Sequence, residues 1–384
     1  MRAVVVDKFL PLPADSGGKR RSLALVQRLA SRLPVTLCGF ARGGEDLDGL
    51  RALGVDVRAV PWEPSAGRLP GGLRQTGSAT SARFWDVRLA AAVGQACSAD
   101  DLLVVEYTQL ARYARAVPAA HRVLDMHNVE SDLVDSYGRS AGSGRALVAK
   151  VEAAALRRLE SRAGRDFDQV VCVSDRDASL LSARGVPALV CGNGWDPRAA
   201  PLASSDEPLV IFVALLSWVP NVDAACWWAT KVWPLVRRQL PTARLALVGK
   251  DPAPAVRALQ GDDVQVTGTV ASVEPWLRRA QVAVAPLRSG GGSRLKVLEA
   301  LDASRPVVAT RIGLEGLEDL EGEGAVVADD PGDLADAVVA LLTDPQRAAE
   351  LGRRGAQAVR QRHSWDATWQ PLLSSLEGVG LPPA

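Results

Sequence analysis

Short runs of apolar, often β-branched residues alternate with longer helical patterns along the whole chain. This alternation predicts parallel sheets with crossover helices, because two parallel strands need a long connection between them. In the first half, we predict strands at 3–6, 35–40, 55–60, 102–106, 122–125, 169–173 and 188–191. In the second half, we predict strands at 209–213, 244–248, 264–266, 282–285, 306–309 and 325–327.

The two series of strands predict two domains. A chain of 384 residues is long enough for two domains of roughly 150 to 200 residues each. Residues 198–208 are rich in proline and small residues and show no periodicity, which is typical of a linker. We therefore expect an α/β protein with two doubly wound, Rossmann-like domains, at 1–197 and 209–362, that face each other across a cleft.

Composition limits the classes of partner. Apolar residues make up 47% of the chain and charged residues 23%, and the net charge of +1 gives no support for nucleic-acid binding. No apolar run approaches the roughly 20 residues of a membrane-spanning helix, and Asp7 and Lys8 interrupt the first strand too early for a secretory signal. We expect a cytoplasmic protein.

The cysteines show no C-x-x-C spacing, and we interpret them as reduced core residues: Cys38, Cys97, Cys172, Cys191 and Cys226.

Two groups of basic residues could contact an anionic lipid or an anionic acceptor. They are Lys19, Arg20 and Arg21 in one group and Arg157, Arg158, Arg162 and Arg165 in the other. We favour solvated helix faces for both, with weak contact at the inner face of the membrane as the alternative.

Ligands of doubly wound sheets bind beyond the carboxyl ends of the strands, so we expect binding residues in the loops that follow strands. Four of these loops are unusual, and two lie in each half: 15–18, 127–128, 217–221 and 290–293. A cleft between the domains could collect all four.

The segment 285–300 is the strongest indication of function. It ends an apolar strand, contains Gly290, Gly291, Gly292 and Ser293, and then begins an amphipathic helix. Backbone N–H groups, the positive end of a helix and the charges of Arg294 and Lys296 could hold a diphosphate without a metal. Glu299 could accept hydrogen bonds from a ribose. A simple chain reversal is the alternative.

Two loops of the first half could contact a sugar or a phosphate. Gly17 and Gly18 would allow a ligand close to the following helix, or would only permit a tight turn. His127, beside Asn128 at the end of a strand, could contact a sugar or carry a proton, although a lone histidine is more often structural.

Other polar patterns are better explained by structure. Ser174 with Asp177 fits a helix cap better than a metal site, and Asn221 could cap the helix that carries Trp227, Trp228 and Trp233. These tryptophans are most simply core residues, whereas Trp218 could pack or stack on a ligand. The sequence has no Ser-His-Asp order with a nucleophile elbow, no H-E-x-x-H and no Walker motif.

Taken in order along the chain, these motifs resemble those of the family 4 glycosyltransferases, which have the GT-B fold of two Rossmann-like domains. The resemblance covers nearly the whole chain. The segments that carry it are 15–18, 125–130, 173–175, 193–196, 218–221, 290–300 and 305–310.

The resemblance implies transfer of a sugar from a nucleotide diphosphate donor, with retained anomeric configuration and no catalytic metal or other cofactor. Glu299 would hold the ribose, and Arg294 and Lys296 with the amides of 290–293 would neutralise the diphosphate. His127, with Asn128, would contact the donor sugar, Gly17 and Gly18 would line its phosphates, and backbone near Val270 would meet the base. The helix after His363 would return to the first domain, and the domains would close on the donor.

The sequence departs from the family pattern at Gly291, where many members have a glutamate that contacts the sugar. A basic pair often found near 217–221 is also absent. The donor sugar, the acceptor and the oligomeric state therefore stay open, and residues 61–81 could line an acceptor pocket. The alternatives are a nucleotide-sugar epimerase and a binding protein that has lost catalysis.

Overall fold

The computed structural model of the chain describes residues 1–63, 69–139, 143–200, 202–203, 205, 207–290 and 294–383. The chain divides into two compact units, Met1–Gly192 with Trp369–Ala384, and Asn193–Thr368. Each unit contains its own parallel sheet flanked by helices. The predicted pair of doubly wound α/β domains is confirmed.

The first unit contains a seven-stranded sheet in its described residues. Its strands are β1 (Ala3–Asp7), β2 (Val35–Ala41), β3 (Val55–Pro61), β4 (Leu102–Glu106), β5 (His121–Asp125), β6 (Gln169–Cys172) and β7 (Leu189–Val190). The strand order is β3-β2-β1-β4-β5-β6-β7, and all neighbours are parallel. Each predicted strand agrees with an observed strand to within one or two residues.

The helices of the first unit connect these strands. They are α1 (Gly17–Ala30), α2 (Leu47–Ala52), α3 (Leu69–Thr76), α4 (Ala79–Ala82), α5 (Val87–Ala96), α6 (Glu130–Arg139), α7 (Ser143–Asp166) and α8 (Asp175–Ser182), with a 3₁₀ segment at Thr108–Ala116. Val4 and Val6 of β1 pack in one core cluster with Leu89 and Val93 of α5. Val5 points to the other face and is also buried, so the sheet is covered on both sides.

The second unit contains a six-stranded sheet with the order β10-β9-β8-β11-β12-β13, again parallel. Its strands are β8 (Leu209–Val213), β9 (Arg244–Val248), β10 (Val264–Gly268), β11 (Val282–Ala285), β12 (Val307–Ala309) and β13 (Ala325–Val327). Its helices are α9 (Val219–Trp227), α10 (Trp233–Gln239), α11 (Pro254–Arg257), α12 (Glu274–Arg279), α13 (Leu295–Asp302), α14 (Pro331–Thr343), α15 (Pro345–Arg362) and the beginning of α16 (Trp365–Glu377).

The second sheet has a core on each face. Trp228 and Trp233 are buried against Phe212 on one face, as predicted, whereas Trp227 is only half-buried. Leu298 of α13 and Val359 of α15 belong to the cluster on the other face. Since both faces are apolar, the strands read as nearly continuous apolar runs in the sequence.

The division between the units at Gly192 lies five residues before the expected end of the first domain. Much of the predicted linker, 198–208, packs on the second unit. The backbone N–H of Arg198 donates to Asp302 over 3.0 Å, and Leu202 is buried in a core cluster of that unit. Ala203 accepts a hydrogen bond from Arg305. The residues from Trp369 onward, which include most of α16, group with the first unit.

Two smaller sequence predictions have different outcomes. Ser174 caps α8 by accepting from the N–H of Asp177 over 3.1 Å, as predicted. Residues 146–163 are rich in Ala, Leu, Glu and Arg, which predicts a helix that Gly164 ends, but α7 continues to Asp166. A Cβ at Gly164 would lie 3.5 Å from Val186, in ordinary contact, so the helix packs there without needing to end.

The five cysteines are free thiols, four of them buried and Cys226 half-buried. Burial raises the pKa of Cys38 and of Cys172 to about 12. These values fit the predicted role as unreactive core residues. None of the helices described is both long and apolar enough to cross a bilayer.

Close packing in the second unit gives a stability prediction. A Cβ at Gly352 of α15 would lie 2.1 Å from the carbonyl oxygen of Ser304, so Gly352→Ala must displace backbone. We expect a loss of about 1–3 kcal/mol in the free energy of unfolding. Thermal unfolding followed by circular dichroism measures it.

The matched control is Gly94→Ala on the exposed side of α5, where a Cβ would meet only Val117, at 4.0 Å. Alanine there should stabilise by roughly 0.5–1 kcal/mol, because glycine loses more backbone entropy in a helix. Equal effects of the two substitutions would contradict the packing described for Gly352.

Candidate functional site

Three neighbouring strands of the first sheet each end in a buried acidic residue. Asp7 ends β1, Glu106 ends β4 and Asp125 ends β5. The chain order of the sheet reverses between β1 and β4, and a reversal of this kind opens a crevice at the carboxyl ends of the strands. The three carboxyl groups therefore lie where a doubly wound sheet binds its ligand.

Arg21 of α1 neutralises one of these acids. Its guanidinium donates two hydrogen bonds to Asp125, each of 2.7 Å, and both side chains are buried. It also donates to the carbonyls of Cys191 and Gly192, over 2.9 and 3.1 Å, and lies 4.2 Å from the ring centre of Trp369. Burial opposes ionisation of Asp125, but the charge of Arg21 outweighs it and holds the pKa of that carboxyl well below its usual range.

His127 is held by two of the acids. Its Nε2 lies 2.6 Å from Oε2 of Glu106 and 3.4 Å from Oδ2 of Asp125, and its ring stacks on Tyr107 with 3.7 Å between ring centres. Burial disfavours the imidazolium, yet the hydrogen bonds to Asp125 and Glu106 raise the pKa of His127 above its ordinary value. Burial, with the nearby Asp125, raises the pKa of Glu106 to about 8.

The Glu106–His127 pair therefore keeps, at neutral pH, a proton that a free glutamate and a free histidine would mostly have lost. When the imidazole is charged, both of its nitrogens bear hydrogen. When the proton is on Glu106 instead, the carboxyl donates to Nε2 and the imidazole hydrogen is on Nδ1. In either state Nδ1 of His127 is a hydrogen-bond donor, and it becomes an acceptor only when the pair loses its proton.

Nδ1 faces the first turn of α1. A Cβ at Gly18 would lie 3.4 Å from Nδ1 of His127 and only 2.1 Å from Oη of Tyr107. Position 18 must therefore be glycine, because any side chain there would collide with the hydroxyl of Tyr107 and crowd the imidazole of His127. Tyr107 has a φ of 71°, in the left-handed region that is rare for a tyrosine.

The beginning of α1 suits an anion or a sugar hydroxyl. Gly17 is exposed at the first helical position, and the side chain of Ser16, at the N-cap, makes no capping hydrogen bond. The first N–H groups of a helix have no partner within it and carry partial positive charge. Asn128 follows His127 and is half-buried.

Among the described residues, Glu106, Asp125 and His127 have ligand atoms within 4.8 Å of one another, a spacing that a metal ion could bridge. Both oxygens of Asp125 already bond Arg21, and Nε2 of His127 already bonds Glu106. We interpret the group as a hydrogen-bonded cluster in which Arg21 and the shared proton balance the negative charge.

The second sheet has its own reversal of chain order, between β8 and β11. Lys296, the second residue of α13, donates from Nζ to Oδ1 of Asn221 over 2.7 Å and lies 4.8 Å from the ring centre of Phe212. Asn221 in turn donates to the carbonyl of Leu215 over 2.9 Å. Asn221 lies inside α9 rather than at its cap, and it joins the loop after β8 to the start of α13.

Burial, with the charge of Arg294 nearby, lowers the pKa of Lys296 to about 7. A bound anion would raise this pKa again, because it favours the charged amine. The hydrogen-bond partner of Lys296 is thus a neutral amide, and an anion bound nearby would stabilise the charged form of the amine.

Arg294 has a different environment from Lys296. It is buried at the N-cap of α13, and its guanidinium donates to the carbonyls of Ile312 and Gly290, over 3.2 and 3.0 Å. The guanidinium also lies 3.8 Å from the carboxylate of Glu315. Arg294 thus fixes the loop that precedes α13 in addition to contributing positive charge.

The other predicted site residues of the second unit lie in the loop before α13, on α13 itself and after the edge strand β10. Gly290 has a φ of 110° and lies beside Trp218, so the loop needs glycine there. Glu299 is half-buried on α13, and Val270 follows the edge strand β10 and packs against a core cluster. The predicted residues Gly291, Gly292 and Ser293 lie outside the described residues.

Sequence reasoning missed four residues of these two clusters: Arg21, Glu106 and Tyr107 in the first unit, and Asn221 as a link in the second. One signal could have found Glu106. Apolar strands that end in an acidic residue recur at Asp7, Glu106 and Asp125, and a charge at the end of a buried strand points to the ligand edge of the sheet.

Comparison with known sequences gives one family match, in the second half of the chain, and several shorter matches to individual proteins. Residues 207–344 match a family model described as glycosyl transferases group 1. The D-inositol 3-phosphate glycosyltransferase 2 of Catenulispora acidiphila is 38% identical over 97 residues, which are 24% of this chain and 22% of that protein. The trehalose synthase of Rubrobacter xylanophilus is 43% identical over 74 residues, which are 19% and 17%. The matched stretches span less than a quarter of either relative.

Comparison with solved structures covers nearly the whole chain. The sucrose-phosphate synthase of Thermosynechococcus elongatus is similar with a TM-score of 0.71 at 17% identity, over 99% of each chain. HepE of Anabaena, solved in complex with UDP, gives a TM-score of 0.69 at 18% identity, over 98% of this chain and all of HepE. The chain therefore has the GT-B fold that its motifs indicated, and its residues 207–344 match the group 1 glycosyl transferases.

Proposed function

We propose that the protein is a glycosyltransferase of the family 4 type, which moves a sugar from a nucleotide diphosphate sugar to an acceptor with retained anomeric configuration and without a catalytic metal. The observation that carries the proposal is the cation at the switch point of the second sheet, where the half-buried Lys296 is held by Asn221 at the start of α13. The matching family model spans these residues.

A diphosphate donor is supported by the chemistry of this position. Breaking the anomeric C–O bond leaves negative charge on the diphosphate, and preformed donors stabilise that charge as it develops. Lys296 and the start of α13 would supply such donors, while Arg294 would add its charge and fix the loop. One solved relative of the same fold, HepE, is described in complex with UDP-glucose, which supports a donor of this class.

The first unit would contribute the contact to the donor sugar. Nδ1 of His127 would donate to a sugar oxygen, and the start of α1 at Gly17 and Gly18 would line the donor phosphates. Glu106 would act through His127, as the residue that keeps the imidazole in its donating state. Glu299 would hold the ribose, and backbone near Val270 would meet the base.

The function is tested by incubating the purified protein with a panel of UDP-, GDP- and ADP-sugars. Release of nucleotide with hydrolysis or transfer of the sugar supports the proposal and identifies the donor. Interconversion of the nucleotide sugar without release would instead indicate an epimerase. Binding of a nucleotide sugar without any turnover would indicate a protein that has lost catalysis.

Lys296→Ala should lower turnover by roughly 10²–10³-fold, because it removes a donor that acts mainly on the developing charge. Donor binding should weaken much less. Nucleotide release measures turnover, and calorimetry measures affinity. Lys231→Ala, at an exposed lysine of the same unit, is the control and should behave as the wild type. Near-normal turnover of Lys296→Ala would refute its role.

Glu299→Ala should mainly weaken donor binding, by about ten- to a hundredfold, since a hydrogen bond to a charged group is lost. Isothermal titration calorimetry with the identified nucleotide gives the affinity. Glu350→Ala, at an exposed glutamate of α15, is the matched control. Unchanged affinity in Glu299→Ala would exclude the ribose contact.

Glu106→Gln should shift the pH dependence of kcat/KM. In the wild type, the Glu106–His127 pair keeps its proton up to about pH 8, so activity should fall above that pH. The amide carries no negative charge, the pKa of His127 falls, and the alkaline limb should move to lower pH by on the order of one unit. The other charged groups that act on this cluster are Asp7, Lys8, Arg21, Asp125 and Glu130.

The control for this profile is Glu63→Gln, at an exposed glutamate of the same unit. A pH profile of Glu106→Gln that coincides with that of the wild type would show that Glu106 does not set the proton state of His127.

A further inference from the structure

Helix α7 of the first unit presents three large apolar side chains to solvent on adjoining turns. Leu147, Val148 and Val151 are 66%, 70% and 65% exposed. Single exposed apolar residues are common, but a group of this size on one helix face usually marks an interaction surface.

Basic residues continue the same face toward the end of the helix. Arg158, Arg162 and Arg165 follow Leu147 and Val151 at spacings of three, four or seven residues, which place all five on one stripe of an α-helix. The three arginines are exposed. We refer to Leu147, Val148, Val151, Arg158, Arg162 and Arg165 as the α7 stripe.

The acidic residues of α7 are directed elsewhere. Glu152 accepts hydrogen bonds from the hydroxyl of Ser78 and from backbone N–H groups of α4. Glu160 is buried and accepts from Ser131 and Arg184, and Asp166 accepts from Arg115. No acidic residue of α7 therefore lies on the α7 stripe, within the described residues.

A second copy of the chain fits this surface poorly. Three apolar side chains cover far less than the roughly 800 Å² per partner that a stable protein interface buries. In a symmetric dimer formed through the stripe, the arginines of the two copies would also repel each other, unless the two helices pointed away from each other at their arginine ends.

An anionic lipid surface fits both halves of the stripe. Apolar side chains at one end can enter the boundary between head groups and acyl chains, and arginines at the other end can bond phosphates while their stems remain in apolar surroundings. We propose that the α7 stripe docks the protein on a membrane that contains anionic phospholipid. The proposal does not depend on the enzymatic function proposed above.

The test is co-sedimentation of the full chain with vesicles of phosphatidylcholine, alone or mixed with phosphatidylglycerol. The wild type should bind the mixed vesicles, bind phosphatidylcholine alone much more weakly, and dissociate as salt is raised. The double variant Leu147→Asp, Val151→Asp should abolish binding. The triple variant with glutamine at 158, 162 and 165 should lower it by on the order of a hundredfold, since each arginine near an anionic surface contributes about a factor of five.

Matched controls substitute exposed residues elsewhere. They are the double variant Val87→Asp, Val379→Asp and a triple variant with glutamine in place of Arg51, Arg58 and Arg353. The controls change charge equally and should bind like the wild type. Thermal unfolding of each variant verifies that it is folded.

Three results would overturn the proposal. The wild type could fail to sediment with phosphatidylglycerol vesicles, or the controls could lose as much binding as the stripe variants. In the third, sedimentation velocity would show an oligomer that Leu147→Asp, Val151→Asp dissociates, which would assign the stripe to a second copy. These assays contain no nucleotide sugar, so none of their results tests the proposed glycosyl transfer.

Discussion

The ion pair between Arg21 and Asp125 organises the ligand edge of the first unit. Removing two charges from water costs several kcal/mol each, and a buried pair persists only when its geometry is good and its other hydrogen bonds are satisfied. Here the pair is bidentate, and Nη1 of the guanidinium donates to the two carbonyls after β7. Because Arg21 lies on the same helix as Gly18, and His127 follows Asp125 by two residues, this pair also sets the approach of the imidazole to the start of α1.

The second unit uses the same topological position in a different way. Its cation, Lys296, bonds the neutral amide of Asn221, whereas Arg21 is fully paired with a carboxylate. Burial, with the charge of Arg294, lowers the pKa of Lys296, and the amide dipole of Asn221 does not offset them. That arrangement would suit an anion as a further partner of Lys296, whereas Nδ1 of His127 in the first unit would suit a neutral hydroxyl.

Much of the fold could be predicted from the sequence, because a strand covered on both faces leaves an apolar run that is visible without neighbours. The glycines and His127 were also visible, since each stands out in the loop after a strand. Glu106, Arg21 and Asn221 were missed because their roles depend on the order of the strands, which local sequence does not encode. Likewise, 198–203 resembles a linker by composition, and only its contacts with Asp302 and Arg305 assign it to the second unit.

The carboxyl groups around His127 keep Nδ1 protonated at neutral pH, and the proposed contact to the donor sugar depends on that proton. Nitrogen-15 chemical shifts of the imidazole, recorded from pH 5 to pH 10, measure this most directly. We expect a protonated Nδ1 at pH 7, and a titration of the imidazole that lies above the ordinary histidine pKa. An unprotonated Nδ1 at pH 7, titrating near the ordinary histidine pKa of about 6.5, would contradict it.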